Sequence, residues 1–233
     1  CSRKKAVLKV LRIDDKGHFN LDELKSLITE RTRIVAVTQI SNVLGIVNPV
    51  EDIVRICHEH NVPVLIDGAQ GVVHGGMDVR KVDCDFYAFS GHKMYAATGV
   101  GVLYGKRKWL DAMPPYMGGG EMISSVKFSG TTYADTPEKF EAGTQNFSSV
   151  PTLKPAIEML KMMEDDEIQS ELNSVKEYLY DKLTGNHNIT LYGVPRGTFS
   201  KIPLFSFSVK GVHHEDLALI LDKMGIAARS GQM

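Results

Sequence analysis

Lys93 stands in the run Phe86-Tyr87-Ala88-Phe89-Ser90-Gly91-His92-Lys93-Met94, and Asp67 in the run Val64-Leu65-Ile66-Asp67-Gly68-Ala69-Gln70. Each follows a short apolar stretch of strand length. An amine at the end of one strand can form a Schiff base with an aldehyde. A carboxylate at the end of the preceding strand can keep a heteroaromatic nitrogen protonated. A pyridoxal 5′-phosphate site needs both groups, because its cationic ring takes up the electrons of a substrate carbanion. Lys93 would carry the Schiff base and then, released by a substrate amine, move a proton. Gln70 could donate to the phenolic oxygen of that cofactor, and Ser90 and His92 could bind its phosphate. Taken singly, each residue has a plainer role: Asp67 as a helix N-cap, Lys93 as a surface lysine, Ser90-Gly91-His92 as a turn.

The elements around them decide between these roles. Asn20 with Glu23 opens a helix carrying Leu21, Leu24, Leu27 and Ile28, in a capping-box pattern. Ile34–Gln39 is a continuous apolar strand, and Ser41-Asn42 follows it. Asn48-Pro49 with Glu51 predicts a capped helix start with proline at N1. That helix carries Ile53, Val54, Ile56 and Cys57, and Asn61-Val62-Pro63 ends it. Val64–Ile66, Asp85–Phe89 and Gly99–Gly105 are the next strands. Unalternating strands separated by helices mean a sheet covered on both faces. The expected fold class is therefore α/β, with a mostly parallel sheet flanked by helices. Ligands of such sheets bind beyond the carboxyl ends of the strands. Three successive strands end in polar residues, Ser41-Asn42, Asp67 with Gln70, and Ser90 to Lys93, so the groups are expected to converge.

Residues 113–149 lose periodicity around Gly118-Gly119-Gly120. A helix starts near Pro151, and a longer one spans about Asp165 to Leu183. Strands at Ile189–Tyr192 and Leu204–Val209 and a helix between His213 and Met224 follow. These predict a large cofactor domain over 1–150, lacking its N-terminal part, and an incomplete, smaller α+β domain over 151–233.

The 233 residues carry a net charge of −1, with 43% hydrophobic and 24% charged residues. That balance offers neither nucleic acid nor a membrane surface as main partner, and no signal-like or spanning segment is read. Cys1, Cys57 and Cys84 are too few and scattered for a disulfide framework, which favours a reducing cytoplasmic setting. The chain opens on Cys1 with a strand-like Ala6–Leu11 and closes on Met233 after a strand-like Ile226–Arg229. Both ends are expected to continue into a longer protein.

The runs Ser41-Asn42-Val43-Leu44-Gly45, Asp67-Gly68-Ala69-Gln70-Gly71, Asp83 through Met94 and Gly99 through Gly105 resemble the cysteine desulfurase and selenocysteine lyase family. These are fold-type I, class V aminotransferase-like enzymes. Pro114 through Ile123 and Phe140-Glu141-Ala142-Gly143-Thr144 resemble its group II, Suf-type branch. The resemblance implies pyridoxal 5′-phosphate as cofactor and conversion of L-cysteine to L-alanine, with a persulfide passed to a Suf-type acceptor for iron–sulfur assembly. It implies Lys93 as Schiff-base lysine, Asp67 and Gln70 as ring contacts, and Ser90 and His92 as phosphate ligands. His92 is also counted with Lys93 as a catalytic candidate, without an assigned acid role. Asn42 and Arg229 become substrate-binding candidates, Asn42 near the ring and the substrate carboxylate, Arg229 opening the catalytic loop. Thr144 resembles a threonine that reaches the phosphate of a partner subunit, which implies a homodimer. In the family, the sequence resembling Arg229–Met233 runs directly into the nucleophilic cysteine. The fragment itself is then expected to lack that thiol and to be inactive alone. Selenocysteine lyase, cysteine sulfinate desulfinase and ordinary aminotransferase activity are the alternatives.

Other features carry plainer expectations. Cys57 and Cys84 are expected in the core. Gly118-Gly119-Gly120 lacks the Gly-Lys-Ser/Thr of a phosphate loop and should let a loop pass close to the active site or a dimer partner. Cys57-His58-Glu59-His60 and His213-His214 lack a second cluster at metal spacing, so no metal is expected. Met159, Met162 and Met163 are expected to fill core.

Overall fold

The computed structural model describes residues 5–193 and 200–231. Cys1 and Gln232-Met233 lie outside the described residues. In chain order the elements are α1 (Leu21–Leu27), β1 (Val35–Thr38), α2 (Val50–Glu59), β2 (Val64–Asp67), α3 (Val79–Val82), β3 (Phe86–Ser90), β4 (Gly101–Gly105), α4 (Arg107–Ala112), β5 (Ile123–Lys127), β6 (Gly130–Tyr133), α5 (Leu153–Met163), α6 (Asp166–Thr184), β7 (Ile189–Tyr192), β8 (Ser206–Val209) and α7 (His214–Lys223). They form two compact units. One takes Ile28–Gln39 and Pro49–Met162; the other takes Cys1–Leu27, Ile40–Asn48 and Met163–Met233.

The first of these units holds a four-stranded sheet in the order β1-β2-β3-β4. β1, β2 and β3 run parallel, and β4 returns antiparallel beside β3. Helical crossovers make the parallel pairs possible. α2 buries Val50, Ile53, Val54, Ile56 and Cys57 along one face. Val64 and Ile66 are fully buried beside them. Each such aliphatic side chain stabilises the fold by about 1.5–3 kcal/mol. On its outer face Arg55 bridges Asp52 and Glu59 at 2.8 and 3.2 Å, exposed pairs of small worth. Asn61, in the left-handed conformation at φ 56°, ends the helix as expected. The start differs. Pro49, not Asn48, occupies the N-cap, and no side-chain cap bond forms there.

One ionic cluster ties the amino ends of β2 and β3. Asp85 is 1% exposed, yet every donor around it is directed at its carboxylate. His58 Nε2 at 2.8 Å and the Val64 N–H at 2.9 Å reach Oδ2, and Trp109 Nε1 at 2.7 Å reaches Oδ1. Lys106 lies 3.6 Å from Oδ1 and 2.6 Å from Asp83. His58, read from sequence as part of a weak metal motif, is thus committed to a carboxylate.

In the other unit β7 and β8 pair antiparallel, Ile189 opposite Val209. α6 begins at the Asp165 cap, whose carboxylate accepts the Glu167 N–H at 2.9 Å. The Ser41–Gly45 turn is held by residues 200–206: Ile202 N–H donates to the Gly45 carbonyl at 2.9 Å, Ser206 Oγ to that of Val43, and Lys201 Nζ to that of Leu44. Gly45 sits at φ +71°, and a Cβ there would come within 3.1 Å of Leu204. The α1 cap is formed as read, Asn20 Oδ1 accepting from the Asp22 and Glu23 N–H groups.

Several expectations fail. Residues 6–11 and 226–229 are not strands; Val7 and Leu8 are 76% and 71% exposed, with no neighbouring strand among the described residues to pair them. Residues 113–149, read as irregular, contain the β5–β6 hairpin, Lys127 opposite Gly130. Met159 and Met162 are 44% and 74% exposed rather than packed. Among the described residues no helix is long and apolar enough to cross a membrane.

Candidate active site

Parallel pairing decides where the chemistry-bearing residues fall. Thr38 pairs with Asp67, and Asp67 with Ala88. β1, β2 and β3 therefore deliver Gln39, Asp67 and the Ser90–Lys93 turn to the same edge, with about 4.8 Å between neighbouring strands. Asp85 and its partners occupy the opposite edge.

After Ser90 the chain makes one 3-10 turn, Gly91–Met94, closed by Tyr95 at φ 70°. The turn has an inner and an outer side. Gly91 is buried, donates its N–H to the Val100 carbonyl at 2.9 Å, and leaves no room for a Cβ, which would lie 2.7 Å from Val100. Met94 is 1% exposed and packs with Ala96 and Ala156, flanked by Val72, Phe89, Leu153 and Leu160. His92 and Lys93 are consequently turned outward and exposed. No described carboxylate pairs with the Lys93 amine at salt-bridge distance. A lysine so placed is accessible to an aldehyde, with which an amine can form a Schiff base.

Asp67 is exposed at the end of β2. Its Oδ1 accepts the Ala69 N–H at 2.9 Å, so the plainer capping role is real, but for a turn rather than a helix. Gln70, half-buried, precedes the 3-10 turn Gly71–Val73. Thr144 is exposed in the loop after Gly143, whose N–H donates to the Gly120 carbonyl at 2.9 Å. Gly119 lies against the backbone of that loop, 3.1 Å from the Gly143 nitrogen for an added Cβ. Asn146 Nδ2 ties the loop to the Gly99 carbonyl at 3.1 Å. Asn42 and Arg229 are exposed in the other unit, Asn42 in the Ser41–Gly45 turn and Arg229 in irregular chain after α7.

Sequence reasoning missed the layer beneath Asp67. Tyr87 Oη donates to Gln39 Oε1 at 2.8 Å, and Gln39 Nε2 donates to the Gly76 carbonyl at 2.8 Å. Both side chains are buried, at 4% and 8% exposure. A usable signal was the polar residue closing the apolar run Ile34–Thr38, since a buried amide must find partners.

The thiols are unsuited to nucleophilic work. Cys57 and Cys84 are fully buried. Burial pushes both up to about 11, with the Asp85 charge adding to the shift at Cys57. Reactive cysteines need the opposite environment. Neither should be carbamidomethylated by iodoacetamide at neutral pH in the folded protein, and both should be after denaturation; labelling of either in the native state, read by peptide mass, would contradict this. Lys201 is the other amine of note: half-buried, it is lowered by desolvation to about 8, but it already donates to the Leu44 carbonyl.

The donor set suits pyridoxal 5′-phosphate. An unpaired amine, a carboxylate, an amide, a hydroxyl and an imidazole leave one edge of adjoining parallel strands, above the apolar cluster of Met94.

The family profile described as Aminotransferase class-V matches residues 1–233. A cysteine desulfurase of Dickeya dadantii is 44% identical over 225 residues, which are 96% of this chain and 54% of that protein. A cysteine desulfurase of Cronobacter sakazakii is 42% identical over 232 residues, 99% of this chain and 56% of its own. The crystal structure of the Escherichia coli cysteine desulfurase CsdA aligns with a TM-score of 0.81 at 38% identity, covering 93% of this chain and 53% of that one. The apo cysteine desulfurase of Thermococcus onnurineus aligns with a TM-score of 0.84 at 32% identity, covering 96% and 55%. The chain spans about half the length of the curated relatives it matches.

Proposed function

Because the chain belongs to the aminotransferase class-V family, we propose that it is the cofactor-holding part of a pyridoxal 5′-phosphate-dependent cysteine desulfurase of the group II, Suf type. The whole protein would take L-cysteine to L-alanine and pass the sulfur as a persulfide to an acceptor protein. The observation that carries this is the shared edge: Asp67 ends β2, and the turn that carries Lys93 follows the adjoining parallel strand β3.

When bound, pyridoxal 5′-phosphate supplies an electron sink for the electrons released as the substrate Cα–H bond breaks. Lys93 Nζ would hold it covalently and, when free, would be placed to move the Cα proton of the substrate. Asp67 would keep the ring nitrogen protonated by charge, since a carboxylate beside a cation favours the charged form. Gln70 would donate to the phenolic oxygen. Ser90 Oγ and His92 would bind the phosphate, and His92 is also a catalytic candidate beside Lys93. Asn42 and Arg229 are proposed for the substrate, and Thr144 for the phosphate in a second copy of the chain. Neither Cys57 nor Cys84 accepts the sulfur. Two free thiols in the core support a reducing, cytoplasmic compartment.

The full protein loaded with cofactor is expected to release alanine and sulfide in equal amounts from L-cysteine in the presence of a thiol reductant. A keto acid formed in their place, with the amino group retained, would assign an aminotransferase instead.

A further inference from the structure

We propose that Gln39 and Tyr87 are positioning residues that fix the Asp67–Gln70 turn, and with it the carboxylate that would keep the cofactor ring nitrogen protonated. The inference rests on the assignment of Asp67 to that ring, and extends it to two buried residues, one just after β1 and one in β3, the strands on either side of β2.

The geometry is a chain of two hydrogen bonds under one turn. Gly76 O can only accept, so the Gln39 amide nitrogen faces it, and Oε1 is left to accept from Tyr87. The Gln39 backbone N–H also donates to the Asp67 carbonyl at 2.9 Å. One residue therefore grips the segment at Asp67 and at Gly76. Tyr87 sits on the other side. Its ring fills the space above Gly68, where a Cβ would lie 2.0 Å from Cζ, and the Gln39 amide fills the space at Gly71, where a Cβ would lie 1.7 Å from Oε1. The Gly68 N–H donates to the Ala88 carbonyl at 2.8 Å. The two glycines let buried polar side chains pack directly against the backbone that carries Asp67, Ala69 and Gln70.

The phenol is a permanent donor. Burial pushes its pKa well above the usual tyrosine range, so the proton is held, and the charges of Cys84 and Asp67 add to the effect. Buried polar chains of this kind are rigid when every member is satisfied. Removal of one member strands its neighbour: without the hydroxyl, Gln39 Oε1 is an unpaired buried acceptor, and the turn moves to recover a partner.

The test uses the full protein reconstituted with pyridoxal 5′-phosphate, comparing Tyr87→Phe, Gly71→Ala and Asp67→Asn. Two quantities are read for each: the cofactor dissociation constant, and the ¹⁵N chemical shift of the ring nitrogen in labelled cofactor, which reports its protonation. Asp67→Asn is expected to shift the nitrogen signal to its unprotonated position. Tyr87→Phe is expected to weaken cofactor binding by about 10-fold, the scale of one stranded buried polar group, and to move the nitrogen signal part of the way in the same direction. Gly71→Ala, which displaces the Gln39 amide, should do the same. If Asp67→Asn moves the signal and the other two variants lower only the melting temperature, the positioning role is overturned and the ring assignment stands. If Asp67→Asn moves neither quantity, the ring assignment fails and the inference with it. If Tyr87→Phe does not fold, the Gly71→Ala result decides.

Discussion

In the full protein proposed above, Lys93→Ala is expected to lower alanine formation from L-cysteine by at least about 10³-fold, because positioned proton transfer alone is worth roughly 10²–10⁴-fold and the proposed covalent hold on the cofactor is lost as well. The fold should survive. The side chain is exposed, and the turn that carries it is anchored by Gly91 and Met94, neither of which depends on the amine. The melting temperature of the cofactor-free variant should therefore match that of the parent. Lys201→Ala is the informative control. Burial lowers its amine to about 8, but it is half-buried on the Leu44 carbonyl and belongs to the other compact unit. It should retain the cofactor's visible absorbance. Loss of that absorbance in Lys201→Ala with retention in Lys93→Ala would reverse the assignment.

Asp85→Ala is expected to destabilise the folded protein by about 3–5 kcal/mol, the scale for removing one partner of a buried ion pair. The Val64 N–H and the Trp109 indole would lose their acceptor inside the sheet edge, His58 its hydrogen-bond partner and Lys106 its counter-charge. The same group predicts an acid dependence. Burial alone would raise the Asp85 carboxyl, but the hydrogen bonds from His58, Trp109 and Val64 together with the Lys106 charge outweigh it and hold it below 3.8. A carboxyl lowered in the folded state contributes stability that is complete above its unfolded value and is lost as pH falls through the folded one. The denaturant midpoint of the parent should thus fall as pH drops below about 4, and Asp85→Ala should be less stable at pH 7 but flatter across that range. Equal midpoints for the two proteins at pH 7 would remove Asp85 from the account of stability.

Much of this was legible in the residues. Unalternating apolar runs gave the parallel strands within a residue or two at each end, because full burial on both faces leaves that pattern. The polar residues after the second and third runs, Asp67 and Ser90 to Lys93, fall at one edge of the sheet because β2 and β3 run parallel. Local rules failed where tertiary context won. Asn48 has the chemistry of a cap, but Pro49 takes the position. Ala6–Leu11 and Ile226–Arg229 have strand composition without a neighbour to pair. The β5–β6 hairpin was hidden because it is almost wholly exposed, so it carries little apolar alternation. The Gln39–Tyr87 link joins residues far apart in the chain, and nothing local announces it. Nor does any local pattern tell that Ile40–Asn48, directly after β1, clusters with Met163–Met233.

The central claim is that Lys93 carries the cofactor. Borohydride reduction of the protein loaded with pyridoxal 5′-phosphate, followed by proteolysis and mass mapping, tests it without reference to activity. The expected result is a single reduced pyridoxyl adduct on the peptide containing Ser90-Gly91-His92-Lys93. An adduct on the Lys201 peptide, or no adduct on any lysine of this chain, would contradict it.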